Sequence, residues 1–452
     1  MEYLKRNIDK VLLEWKTDTD RKPLLIRGAR QVGKSSAIQH FAKNFEHFIE
    51  INFDKQKQLK AIFDGDLDVK EICLKISVQA KKPIVVGKTL LFLDEIQSCP
   101  NAIMSLRYFY EDFPKLHVVA AGSLLEFALE ELPTFGVGRI DALFMYPFSF
   151  QEFMFACGEE LLWNEIVKCS PEKPLFEVFH KKSLEYLKKF LIIGGMPAAV
   201  ANFVENNDLL KVQKVLGRLI LSFENDFAKY KKKLPAILLK EVFSSVAKQA
   251  GRKFIYSKAA DTTNYSIKQA LNMLIMAGLV IPSYSSSGNG IPIGAEINEK
   301  KCKMLLLDTG IFQCMLGLQL SDILFFDDIE VVNKGAIAEI FVGLELVKNS
   351  SPYIPKNLYF WTKEIKDLQN EENVSDNIDK KKKKSQAELD FLIQRNEKII
   401  PIEVKSGKQG KMQSMWLFMN EKKTEFGIRT SLENFSEYDK IKVYPLYAIG
   451  NV

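Results

Sequence analysis

Gly28-Ala29-Arg30-Gln31-Val32-Gly33-Lys34-Ser35, followed by Ser36, is the run that decides the fold. It is a complete Gly-x-x-x-x-Gly-Lys-Ser/Thr phosphate loop. Glycines let backbone N–H groups converge on phosphate oxygens, and the N-terminus of the next helix adds its positive dipole end. In such a loop Lys34 neutralises the β- and γ-phosphates and the Ser35 hydroxyl ligates Mg²⁺. The context agrees: apolar Leu24-Leu25-Ile26 reads as a strand directly before the loop, and residues 35–41 read as a helix directly after it. Further on, Leu90-Leu91-Phe92-Leu93-Asp94-Glu95 is a buried-type strand that delivers two acids at its C-terminal edge. Asp94 is expected to hold Mg²⁺ beside Ser35, and Glu95 to polarise an attacking water. ATP and Mg²⁺ are therefore the expected ligands. The plainer alternatives are a glycine-rich turn without a ligand and a solvated strand end.

Outward from this pair, residues 23–27, 48–53, 89–94, 117–121 and 141–146 read as strands. Helical stretches such as 35–44 and 103–112 lie between them, the pattern of a mostly parallel α/β sheet. The strand at 117–121 runs into Gly122-Ser123. With one strand between the phosphate-loop strand and the acidic strand, Ser123 has the position of a sensor that hydrogen-bonds the nucleophilic water or the γ-phosphate. A plain strand-end serine is the alternative. Arg139, just ahead of the next strand, stands where ring-forming ATPases supply an arginine finger in trans. That reading makes a homo-oligomer an expected partner; an ordinary surface arginine is the other.

Four segments also carry a family resemblance: residues 27–34, Phe92-Leu93-Asp94-Glu95-Ile96-Gln97, Ala121-Gly122-Ser123, and Tyr146-Pro147-Phe148-Ser149-Phe150-Gln151-Glu152-Phe153. Together they are very similar to a large bacterial and archaeal AAA-type family. Its members join an AAA domain to a C-terminal domain of unknown function and are known mainly as ATP-binding proteins. The resemblance extends over essentially the whole chain, including Gly194-Gly195-Met196-Pro197 and Pro401-Ile402-Glu403-Val404-Lys405. Where the family usually has Thr after the loop lysine, this chain has Ser35, which keeps the hydroxyl.

The remainder divides by pattern. Residues 1–150 form the expected AAA-type domain and 151–240 a helical, lid-like region broken at Gly194-Gly195. Residues 241–329 resemble a winged helix, with 266–276 as recognition helix and the turn at 285–290 as wing. Arg252, Lys253, Lys258 and Lys268 are its basic side chains, thin for DNA binding and equally consistent with protein packing. Residues 330–452 read as a restriction-endonuclease-like α/β domain. Asp390 lies in an apolar strand, and Glu403 and Lys405 share one face of the next. These three look like a PD-(D/E)xK triad, in which carboxylates hold Mg²⁺ and the lysine stabilises charge. Glu339, on a helix beginning near residue 334, is the candidate extra acid. The plainer reading is a strand pair whose acids pair with Lys405 and never meet metal. A low-complexity stretch at 367–386, with lysines throughout 380–384, reads as a loop, and with Lys405, Lys408 and Lys411 makes this domain locally basic.

Composition narrows the classes. The 452 residues, 47% apolar and 27% charged, suit a soluble globular chain of about three domains. No apolar run approaches the roughly 20 residues of a membrane span, and the charged N-terminus has no secretory h-region. A cytoplasmic protein is expected. Six cysteines and four histidines (40, 47, 117 and 180) show no metal spacing. The net charge of +6 permits nucleic-acid contact without predicting it. The expected function is an ATPase that couples nucleotide state to a DNA-binding or nuclease-like C-terminal domain. A non-nucleolytic switch or scaffold, binding DNA or a protein, is the alternative.

Overall fold

The computed structural model describes residues 3–123, 125–131, 138–230, 234–319, 335–365, 385–405 and 412–452. Most of the expected loop at 367–386, the lysines at 380–384, Lys408 and Lys411 lie outside them.

Five strands make a wholly parallel sheet: β1 (Leu24–Arg27), β2 (His47–Asn52), β3 (Thr89–Asp94), β4 (His117–Ala121) and β5 (Asp141–Phe144). Their order is β2-β3-β4-β1-β5, so one strand separates the phosphate-loop strand from the acidic strand, as expected. β3 and β4 are buried along their whole length, which their unbroken apolar sequences require of a sheet covered on both faces. Strand alternation distributes the side chains. Leu24 and Ile26 pack with Leu12, Trp15, Ile38 and Phe41 from helices Asn7–Thr17 and Lys34–Phe41. Leu25, Leu91 and Leu93 face the opposite layer, Val69–Ala80 and Pro100–Asp112.

A helical middle follows: Phe150–Ala156, Glu160–Val167, Glu177–Ile193, Pro197–Asn206 and Leu209–Asp226. Its break at Gly194-Gly195 brings the chain back against the first domain. Phe148 N–H donates to Gly195 O at 2.7 Å, and a Cβ at Gly195 would overlap Phe148 O. Pro197 then opens the next helix at its first position, where a missing N–H costs nothing.

Eight strands form the second, mixed sheet: β6 (Val280–Ser286), β7 (Ile297–Leu306), β8 (Leu358–Ile365), β9 (Ser385–Arg395), β10 (Lys398–Val404), β11 (Gly427–Ser431), β12 (Ser436–Tyr438) and β13 (Ile441–Pro445). The order is β12-β13-β11-β10-β9-β8-β6-β7. The segment 241–329, expected to be winged-helix-like, is joined to this second sheet. Helices Ala236–Lys248 and Asn264–Met276 are present, but β6 pairs in parallel with β8, so the hairpin extends the C-terminal sheet. The expected wing turn is docked: Gly288 lies against the Phe418 ring, and Lys422 Nζ donates to Asn289 Oδ1 at 2.6 Å. The cause is apolar area. Met304, Leu305 and Leu306 of β7 are buried, and a two-stranded wing in water would leave them half covered. Among the described residues no helix is long and apolar enough to cross a membrane.

Candidate functional site

The phosphate loop leaves β1 through Gly28, whose φ of 138° belongs to glycine. Any Cβ there would overlap the Met145 carbonyl oxygen just beyond β5. Ala29 and Val32 point into the core, which fixes the loop from below. Arg30, Gln31, Gly33, Lys34, Ser35 and Ser36 line a cleft of about 790 Å³, with Asp94, Glu95 and Ser123 also on its walls. Lys34 is buried, and its Nζ donates to Gly28 O at 2.9 Å and Ala29 O at 2.8 Å. Burial pulls its ammonium down to about 8, against the opposing pull of Glu95 and Asp94. A triphosphate raises that value in the complex, so affinity is full below pH 8 and falls as pH rises through it, by up to tenfold per unit. Titrating a fluorescent ATP analogue between pH 7 and 10 measures this; a flat profile would refute the burial argument.

Asp94 and Glu95 share this cleft with the phosphate loop. Ser35 Oγ donates to Asp94 Oδ1 at 3.0 Å, so a hydroxyl and a carboxylate, both hard oxygen ligands, lie side by side. That donor set fits Mg²⁺. Asn52 Nδ2 donates to Asp94 Oδ2 at 2.9 Å, because the β2–β3 register sets Asn52 opposite Asp94. Burial pushes the Asp94 carboxyl up, and the Ser35 and Asn52 hydrogen bonds restrain the rise. Glu95 follows with φ of 50°, a left-handed conformation that costs a non-glycine residue about 1 kcal/mol and turns its carboxylate toward the cleft. Gln97 Nε2 donates to Glu95 Oε2 at 2.6 Å, and Ser123 Oγ donates to the same oxygen at 3.4 Å. Ser123 thus touches the acid expected to orient water.

Several cleft residues escaped the sequence reading. The Tyr3 ring stacks on His40 with centroids 4.0 Å apart and 12° between planes, beside Pro197 and Ala201 on the cleft wall. Buried Arg6 donates to Val32 O at 3.0 Å and Tyr146 O at 2.7 Å and pairs with Glu152 at 3.0 Å, tying the N-terminal segment to the loop. Arg30 is ion-paired to Asp226, and Gln31 Nε2 donates to Ser222 Oγ at 3.0 Å, so the phosphate loop is gripped by helix Leu209–Asp226. Arg139 does not line the cleft: its Nε pairs with Glu111 Oε1 at 2.5 Å.

The C-terminal candidates are only partly assembled. Asp390 and Glu403 do lie on neighbouring antiparallel strands, the register running Ile402↔Phe391 immediately beside them. Lys405 Nζ pairs with Glu403 Oε1 at 2.5 Å, consistent with one shared face. Asp390 Oδ2 instead accepts from Val404 N–H at 2.8 Å. Glu339 meets Lys303 Nζ at 2.7 Å, a lysine absent from the sequence reading. Burial pushes the carboxyls of Glu339, Asp390 and Glu403 up, with Lys303 or Lys405 opposing. The metal set expected from Asp390, Glu403 and Glu339 does not form: among the described residues, no group of three or more His, Cys, Asp or Glu side chains is arranged to hold a metal ion.

A five-stranded parallel sheet, a phosphate loop after its β1 strand and paired acids at the end of β3 define a P-loop ATPase domain of the AAA type. Residues 20–154 match the family described as an AAA domain. Residues 184–322 and 334–449 match two families described as domains of unknown function (DUF8612 and DUF4143). No curated protein matches the chain. Among solved structures, the chain is similar to the Aeropyrum pernix Orc1 protein in complex with DNA, at 14% identity over 71% of this chain and 93% of that one, with a TM-score of 0.26. Drosophila ORC bound to DNA matches at 14% identity over 69% and 85%, with a TM-score of 0.26. A Signal Transduction ATPase with Numerous Domains from Pyrococcus horikoshii matches at 12% identity, covering 77% of this chain and 46% of that one, again with a TM-score of 0.26.

Proposed function

We propose that the chain binds ATP with Mg²⁺ at the 28–35 loop, hydrolyses it, and uses the nucleotide state to set the DNA affinity of its C-terminal half. The observation that carries this reading is the 3.0 Å contact of Ser35 with Asp94, with Glu95 adjoining it on the cleft wall. In this reading Ser35 and Asp94 hold the metal and Lys34 moves from the loop carbonyls to the phosphates. Mg²⁺ supplies charge neutralisation of the triphosphate. Glu95, held by Gln97 and Ser123, orients the water and receives its proton. Arg139 serves a neighbouring copy, and the protein works in the cytoplasm.

Coupling has a ready route, since Arg30 and Gln31 of the loop grip helix Leu209–Asp226 and Gly278 abuts Ala29. For the output half, the antiparallel β9–β10 pair carrying Asp390 and Glu403 supports a restriction-endonuclease-like reading. DNA is the partner that its surroundings suit. Lys258, Lys268, Lys300 and Lys301 are exposed, and Lys301 and Lys303 act electrostatically on Lys253. Fluorescence anisotropy of a labelled duplex at low salt tests the whole chain of events. Wild type should hold DNA with different affinity in ATPγS and ADP, more weakly as salt rises. Lys34→Ala should bind nucleotide roughly 10- to 100-fold more weakly, the worth of one charge-assisted contact, and lose the nucleotide response. Equal nucleotide affinity in wild type and Lys34→Ala would sink the ATP reading. No duplex binding in any nucleotide state would sink the DNA reading and favour a protein partner.

A further inference from the structure

Lys303 belongs to β7, in the run Cys302-Lys303-Met304-Leu305-Leu306, and is only 2% exposed. A lysine buried so completely needs compensating charge, and it has three carboxylates. Its Nζ lies 2.7 Å from Glu339 Oε1, 2.6 Å from Glu388 Oε1 and 3.7 Å from Asp390 Oδ1, with the Phe360 ring centroid at 5.3 Å. Those acids come from helix Ala336–Lys348 and from β9, while the lysine crosses from the hairpin that extends the sheet.

A nuclease of the kind that the Asp390, Glu403 and Lys405 pattern suggests would need a divalent cation among these acids. The residues do not fit one. An ammonium stands between Glu339 and Glu388, where it would repel a metal ion. Glu403 gives one oxygen to the Lys405 ammonium and keeps the other, Oε2, buried without a hydrogen-bond partner, and among the described residues no three His, Cys, Asp or Glu side chains are grouped to hold a metal ion. The geometry points to Lys303 as a built-in substitute for the divalent cation: its ammonium gathers Glu339, Glu388 and Asp390, closes the site to metal, and makes the C-terminal half a non-cleaving domain. This deepens the DNA-switch reading of that half. It is independent of the ATP reading, because its test uses no nucleotide.

The test is Mn²⁺ binding, followed by electron paramagnetic resonance and by thermal unfolding. An Asp94→Asn background removes the metal ligand of the phosphate loop. In that background the otherwise wild-type protein should show no saturable Mn²⁺ site that responds to Asp390→Asn, and no plasmid cleavage with Mn²⁺. Lys303→Met keeps the stem's volume against Phe360 and removes the charge. It should gain one Mn²⁺ site and a Mn²⁺-dependent rise in melting temperature, both abolished by adding Asp390→Asn. Wild-type Mn²⁺ binding or cleavage that Asp390→Asn reduces would overturn the proposal. So would a folded Lys303→Met that takes up no Mn²⁺. If Lys303→Met does not fold, the comparison of the Asp94→Asn protein with and without Asp390→Asn decides alone.

Discussion

Glu95→Gln should lower the rate of ATP hydrolysis by about 10²- to 10⁴-fold while leaving ATP affinity within a few-fold of wild type. The asymmetry follows from where the carboxylate stands. Lys34, Ser35 and Asp94 make the contacts expected to hold nucleotide, whereas Glu95 contacts only Gln97 and Ser123 among side chains described by hydrogen bonds. Glutamine has the same length, and its carbonyl can still accept from Gln97. It preserves the left-handed backbone at residue 95, so the loss is of basicity and not of shape. Phosphate release under saturating ATP, alongside equilibrium binding of a fluorescent analogue, separates the two quantities. Loss of affinity in step with loss of rate would remove Glu95 from the role of base. Lys168, paired with Glu165 at 2.7 Å on the protein's surface, is a useful control position, since its change should move neither quantity.

The phosphate loop and the acidic strand were legible because each is local: strand, turn and helix follow one another in the chain, and the acids follow an apolar run. Of the strand order, only the one strand between the phosphate-loop strand and the acidic strand was part of the sequence reading; the rest of the order is set by pairings between distant segments. Asn52 was not legible, although it contacts Asp94, because its role depends on register between β2 and β3, which no short segment encodes. Gln97 lay inside a quoted motif, yet only the turn at Glu95 brings its amide back to the carboxylate. The Tyr3–His40 stack and the Arg6 contacts depend on where the N-terminal helix docks, a long-range matter.

The second sheet shows the same division. Asp390 lies in β9 and Glu403 in β10, since a hairpin is a short-range fact, while Lys405 stands one residue past the end of β10 and reaches back to Glu403. Their other partners are not set so locally. A lone lysine in the apolar run at 302–307 was the available sign that a charge would be buried, but that it meets Glu339, Glu388 and Asp390 required the parallel pairing of β6 with β8. That pairing also consumed the expected wing. Local sequence resembled a hairpin equally well in either setting; β6 is the strand that joins the larger sheet, while β7 lies at its edge with Met304, Leu305 and Leu306 buried.

Lys348→Met should destabilise the protein by about 3–5 kcal/mol, the usual consequence of stranding buried charge, and lower the melting temperature by roughly 10 °C. Helix Ala336–Lys348 has Glu339 in the acid cluster near one end and Glu345 and Lys348 against the ATPase domain at the other. Lys348 Nζ donates to Phe148 O at 2.8 Å and lies 3.8 Å from Glu345, whose two oxygens accept from Phe150 N–H at 3.1 and 3.2 Å. Asp308, also within its field, accepts from Gly195 N–H at 2.5 Å. Burial pushes the carboxyls of Asp308 and Glu345 up, with Lys348 opposing in each case. Without Lys348 both rise further. Carboxyls whose folded value exceeds their unfolded one bind protons more tightly when folded, so they stabilise at low pH and lose that contribution as pH rises. The deficit of Lys348→Met relative to wild type should therefore be smallest near pH 5 and widen toward pH 8. Thermal unfolding across that range measures it. A deficit that is constant with pH would mean that methionine mispacks against Phe190, not that charge is stranded. Adding Glu345→Gln to Lys348→Met should recover part of the loss, a coupling that a double-mutant cycle reads directly. The same substitution should also blunt the nucleotide dependence proposed above for duplex binding, because this helix touches both Phe148–Phe150 and the Lys303 cluster among the contacts described.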